Sequence, residues 1–89
     1  MSAIEYHGYH VTVTVTEENW GFASGQWRGS FRFWREGEMS PRSGTVSRAE
    51  KSAYDARQRA LRIAKSFIDA ERATERRFTD LHGQVLARH

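Results

Sequence analysis

Residues 25–36 read GQWRGSFRFWRE, and the side chains in the chain best suited to holding a partner lie there. Arg28 and Arg32 offer planar guanidinium forks that fit phosphate or carboxylate oxygens. Trp34 offers a ring on which a nucleobase can stack. These three share one parity along the run, so in a strand they would share one face. The other parity holds Trp27, Phe31 and Phe33 around Gly29, with no charge until Arg35 at the end. The chemistry implied is recognition of an anionic partner on one face and core building on the other. The plainer reading is an ordinary solvated or dimer-forming sheet face.

A second basic set follows. Between residues 48 and 77 there are nine lysines and arginines against five acids. Lys51, Arg62, Lys65, Arg72 and Arg76 fall broadly opposite an alanine stripe, and such a face could track phosphates. Asp55 and Asp69 interrupt it. Lys51–Asp55, Asp55–Arg59 and Lys65–Asp69 have the spacing of intrahelical pairs, as on most solvated helix faces.

No arrangement points to catalysis or metal binding. His7 and His10 would point to opposite strand faces, and His82 and His89 lie near the end of the chain. No cysteine exists to join them, so a metal site or cofactor is not expected. Glu17-Glu18 and Glu36/Glu38 read as turn glutamates rather than as carboxylates held in a cleft. No Gly-rich phosphate loop precedes the helix. The expected class is non-enzymatic.

The elements that must position these groups can be read from periodicity. Residues 9–16, YHVTVTVT, alternate strictly, with Tyr9, Val11, Val13 and Val15 on one face. Residues 17–25 read as a loop whose Trp20 and Phe22 fold back over the sheet. The second strand is the opening stretch, and Glu36-Gly37-Glu38 is a turn. A weaker strand is expected over 39–46, at an edge because of Pro41. Ser47-Arg48-Ala49-Glu50 has the form of a capping box and predicts a helix over 48–76. Its stripe is Ala49, Ala53, Ala56, Ala60, Ala64 and Phe67, flanked by Tyr54, Leu61 and Ile68 on one side and by Ile63 and Ala70 on the other. Small residues on the helix would meet Trp27, Phe31 and Phe33 on the sheet.

The expectation is an α+β domain over residues 1–76. It comprises a three-stranded antiparallel β-meander and one long C-terminal helix packed on one sheet face, β-β-β-α. Residues 77–89 form a tail, partly helical or disordered, in which Phe78, Leu81, Val85 and Leu86 could add an amphipathic turn. The order differs from the β-α-β-β-α-β of RRM domains, despite a superficial likeness of RGSFRFW to their aromatic strand. It is closer to a single-stranded-DNA-binding coactivator fold, in topology alone. The 89 residues carry a formal net charge of +3, mostly from arginine, and no cysteine. With no basic start leading into an apolar run, these point to a cytoplasmic protein that neither enters a membrane nor carries a signal peptide.

Four segments together resemble a group of small uncharacterised proteobacterial sheet-plus-helix proteins: Tyr6-His7-Gly8-Tyr9, Gly25-Gln26-Trp27, Ser47-Arg48-Ala49-Glu50 and Ile68-Asp69. The resemblance covers about residues 4–70. Lys51 stands where the group has alanine, and the basic tail after Asp69 departs from it. The resemblance implies sheet plus helix and no activity.

The function expected is a small binding module that self-associates through the open sheet face or edge. The alternative is a nucleic-acid-binding protein using Arg28, Arg32 and Trp34 with the helix basics. A third possibility is a small-ligand pocket between helix and sheet lined by Trp27 and Tyr54.

Overall fold

The computed structural model describes residues 3–18 and 25–87, and beyond Arg76 the backbone alone. The element order is β1 (Ile4–Tyr6), β2 (Tyr9–Glu18), β3 (Gln26–Arg35), β4 (Arg42–Thr45) and α1 (Ala53–Ala87). The strands form one antiparallel sheet in sequence order, and α1 packs on one face of it. The α+β class and the meander followed by a helix are as expected, with one strand more. β1 is three residues long, too short for alternation to register. Its cue is His7-Gly8, both at positive φ (51° and 83°). They close a two-residue hairpin between the paired Tyr6 and Tyr9, the geometry that primed turns require.

The register of β2 on β3 sets the core. Val11 faces Phe33, Val13 faces Phe31 and Val15 faces Gly29, so the apolar parities of both strands meet on one side. Tyr9, Val11, Val13, Phe31 and Phe33 are buried there with Val46, Ala60, Ala64 and Ile68. Each buried ring contributes about 4–6 kcal/mol gross from 150–250 Å² of area. Trp27, expected to belong to this bed, is only half-buried at the end of the sheet.

Two expectations about the helix are corrected. It begins at Ala53, not at residue 48, and Ser47 does not cap it. The segment before it still belongs to the sheet edge. The Val46 N–H donates to the Gly29 carbonyl at 2.8 Å, and Glu50 exchanges both backbone hydrogen bonds with Trp27 at 2.7 Å. Backbone committed to a sheet cannot also supply a helix start. Ser52 takes the N-cap role instead: its Oγ accepts from the Asp55 N–H at 3.1 Å and its carbonyl from the Ala56 N–H at 3.1 Å. Ala49 and Lys51 therefore lie outside the helix. The buried row is Ala56, Ala60, Ala64 and Ile68, while Phe67, placed in the stripe from sequence, is 54% exposed.

The closest approach of the two layers is small on small. A Cβ on Gly29 would lie 2.7 Å from the Ala56 carbonyl oxygen and 2.8 Å from the Ala60 Cβ. The bulk opposite the helix comes further along, from Phe31, Phe33, Val11 and Tyr9. From there α1 follows β3 toward Arg35, with Glu71 on Arg42 and Glu75 on Arg35. Its 35 residues span ~52 Å, against ~33 Å for a ten-residue strand. The helix thus outruns the sheet, and it continues through Arg76 and Gly83 to Ala87.

At the other strand ends, the Glu38 N–H donates to the Arg35 carbonyl at 3.0 Å around Gly37, whose φ is 85°. That is the expected turn. β4 forms the expected edge strand, shorter than 39–46. Glu17 and Glu18, expected in a turn, lie in β2, because the ladder continues to the Glu18–Gln26 pair. The expectation for Trp20 and Phe22 lies outside the described residues. Among the described residues, no helix is long and apolar enough to cross a membrane.

Candidate functional site

The sheet face turned away from α1 carries the even-numbered residues of β2 and β3. Arg32 sits at its middle, exposed, between Thr12 and Ser43 in register. Among the described residues the Arg32 guanidinium makes no hydrogen bond or ion pair. Trp34 is half-buried and stacks on His10, with ring centroids 5.7 Å apart and planes 29° apart. His10 in turn meets the Glu36 carboxylate at 2.8 Å.

Arg28, grouped with these two from the sequence, does other work. Its guanidinium donates to the Glu18 carboxylate, to the Val46 carbonyl at 3.0 Å and to the Ser47 carbonyl. It ties β2 and β3 to the segment linking β4 to α1. Its Nε and Nη1 are engaged within the fold, which fixes the side chain at this junction and sets it apart from Arg32.

The basic residues beyond β4 form no common surface with Arg32 and Trp34, because α1 packs on the other face of the sheet. Lys51 precedes the helix. Arg62 and Arg76 are exposed on α1, and Arg72 is half-buried. The Lys65 ammonium lies 5.2 Å from the Tyr6 ring centroid. Two of the three pairs suggested by helical spacing are replaced by tertiary contacts, and the third is lost because Lys51 lies outside the helix. Arg59 binds the Glu50 carboxylate rather than Asp55. Asp69 accepts from the Tyr6 hydroxyl at 2.9 Å, and that bond, with burial, raises the phenol above its ordinary pKa.

A groove runs between β4 and α1, about 450 Å³ in volume. Phe31 and Phe33 form its floor, and Ile63 and Phe67 form the helix wall. β4 with Val46 forms the other side, and Arg42, Arg48 and Arg59 stand at the rim. It exists because position 44 is glycine. Gly44 lies opposite Phe31 in register, and a Cβ there would meet the Phe31 ring at 2.7 Å. The ring lies against the glycine and meets the Phe67 ring at a tilt of 30°, with centroids 5.8 Å apart. The pocket expected at Trp27 and Tyr54 does not coincide with this groove, and Tyr54 is 69% exposed.

Two of the three arginines at the rim, Arg42 and Arg59, are neutralised from within. Arg42 binds Glu38 at 2.8 Å and Glu71 at 2.7 Å, and its guanidinium lies 5.2 Å from the Phe33 ring centroid. Hydrogen bonds from Arg42 and from the Arg35 N–H, reinforced by both charges, hold the Glu38 carboxyl down at a pKa of about 2. The Arg59 hydrogen bond likewise lowers Glu50. Glu36/Glu38 are thus not a matched pair of turn carboxylates. Glu36 meets His10, and Arg42 is the hub, joining Glu38 of the turn to Glu71 of the helix from the edge strand.

Sequence reasoning missed this hub and the groove. Arg42 and Glu71 are 29 positions apart, and no local spacing announces such a pair. The groove did have a signal, Ser43-Gly44 within a predicted edge strand opposite aromatic residues. A glycine in a strand often marks a close approach. Comparison of the chain with family models, curated proteins and solved structures finds no match, so this geometry alone carries the functional reading.

Proposed function

We propose that the chain is a non-enzymatic interaction module, at home in the cytoplasm, that joins a second copy of itself edge to edge at β4. The observation that carries this reading is Phe67, half exposed in an apolar groove beside an unpaired strand edge. Val46 turns its N–H inward to Gly29, so by the alternation of an antiparallel ladder Ser43 and Thr45 turn theirs outward. Two β4 strands can then pair antiparallel about Gly44, with Ser43 of one copy opposite Thr45 of the other. That arrangement makes about four backbone hydrogen bonds and brings the two grooves side by side. Because Arg42 and Arg59 already hold carboxylates, much of the charge on the identical rims is compensated before they meet, with Arg48 the exception.

Magnitudes favour a weak dimer. Covering the exposed half of Phe67 contributes about 2–3 kcal/mol per copy. Association costs about 4–15 kcal/mol in lost freedom. Pro41 also stops the pairing from lengthening beyond Arg42.

Sedimentation velocity across micromolar to sub-millimolar concentration tests the reading. The expected result is a monomer–dimer equilibrium that Phe67→Asp shifts to monomer and Thr45→Pro weakens. Arg32→Glu, on the open face, should leave it unchanged. A monomer at every concentration, or a dimer indifferent to Phe67→Asp, would overturn the proposal.

A further inference from the structure

Arg32 lies between two hollows on the open sheet face, and they differ in chemistry. One, about 430 Å³, is lined by the hydroxyls of Thr12, Thr14, Ser30, Ser43 and Thr45. The other, about 230 Å³, lies between Trp34 and Pro41 with Glu38 at its border. Arg32 lines both. From this juxtaposition we infer that the open face binds single-stranded nucleic acid, with a phosphate on Arg32 and the hydroxyls, and the attached base over Trp34.

The charges assign the two halves. The hydroxyl-lined hollow has no acid on its wall, and Arg32 makes no ion pair among the described residues. An anion entering there meets one unused guanidinium and several hydroxyl donors. The second hollow has no phosphate donor in its lining besides Arg32 and the Trp34 indole, and the oxygens of Glu38 at its border are already held by Arg42 and the Arg35 N–H. An uncharged base is accepted there, where the indole of Trp34 already carries one stacked ring, His10. A duplex is disfavoured, since its paired and stacked bases cannot reach a ring on a flat sheet.

Self-association uses the β4 backbone edge and the opposite face, whereas this site uses the side chains of Ser43 and Thr45, so Arg32, which lies outside the β4 contact, separates the two. Fluorescence anisotropy of a short labelled oligothymidylate titrated with the full chain tests it. Each phosphate neutralised should weaken binding about fivefold for a tenfold rise in salt. Arg32→Glu should abolish the signal while leaving the circular dichroism and the sedimentation behaviour unchanged. Trp34→Phe should weaken binding less than Arg32→Glu does. Arg62→Glu with Arg76→Glu, both on the far side of the molecule, should change the affinity by no more than general charge predicts. The inference is overturned by no binding at low salt, by equal losses from the helix pair and from Arg32→Glu, by equal affinity for a duplex of the same length, or by equally effective competition from inorganic phosphate.

Discussion

Gly29 shows how one missing side chain positions a layer. Its neighbours within 3 Å of a hypothetical Cβ are a helix backbone oxygen and an alanine methyl, and neither can rotate away. Gly29→Ala must lift the helix from the sheet or push the strand down. It should cost about 1–3 kcal/mol, read as a lower urea midpoint with an unchanged slope. An unchanged midpoint would mean that the layers are less tightly seated than these distances imply. Arg28 carries a related lesson. Its residue type and parity suggest a ligand-facing cation, yet its donors close a junction within the fold. For that reason Arg32, and not Arg28, is the informative substitution on the open face.

At the level of elements, the start of α1 decides what the preceding segment can do. Ser47-x-x-Glu50 and Ser52-x-x-Asp55 both have the spacing of a cap, and only the second acts as one. Ser52→Ala should therefore destabilise the protein by about 1 kcal/mol, whereas Ser47→Ala should stay within about 0.5 kcal/mol of the parent. The reverse order in thermal denaturation would restore the earlier helix start. Delaying the helix to Ala53 frees Glu50 to bridge Trp27 and to hold Arg59. The edge strand is thus anchored at both ends, by the Arg42 hub and by the Glu50 bridge, with the groove open between them.

Across the whole molecule, ion pairs bind turn to helix and loop to helix, which makes stability sensitive to acid. Glu38 falls from an ordinary 4.5 to about 2 in the folded state, and Glu50 shifts in the same direction. A lowered folded pKa means that the unfolded chain binds the proton first. The stabilisation is therefore complete above the unfolded value and is lost as pH falls through the window from about 4.5 to about 2. The melting temperature should decline across that window. Glu38→Gln should lower it at neutral pH and flatten the decline. An unaltered decline in Glu38→Gln would assign the acid sensitivity to other carboxylates. The same pairs compensate Arg42 and Arg59 at the groove rim, which favours the edge-to-edge reading, and leave Arg32 as an exposed cation on the opposite side.

Local pattern by itself determined the strands of the Val/Thr and Trp/Phe runs, the edge position of the Pro41 strand and the Ala56/Ala60/Ala64 face of the helix. The strand runs and the helix face follow from a periodicity of two or 3.6 residues that sterics impose on any chain, and the edge follows from the N–H that proline lacks. Tertiary structure alone decided which serine caps α1, which arginines are spent inside the fold, and that Phe67 borders a groove instead of filling the core. Those outcomes depend on partners tens of residues away, such as Glu71 for Arg42 and Asp69 for Tyr6. A side chain's charge or ring is written in the chain, but whether it faces a partner or solvent depends on which segments the folded backbone brings beside it.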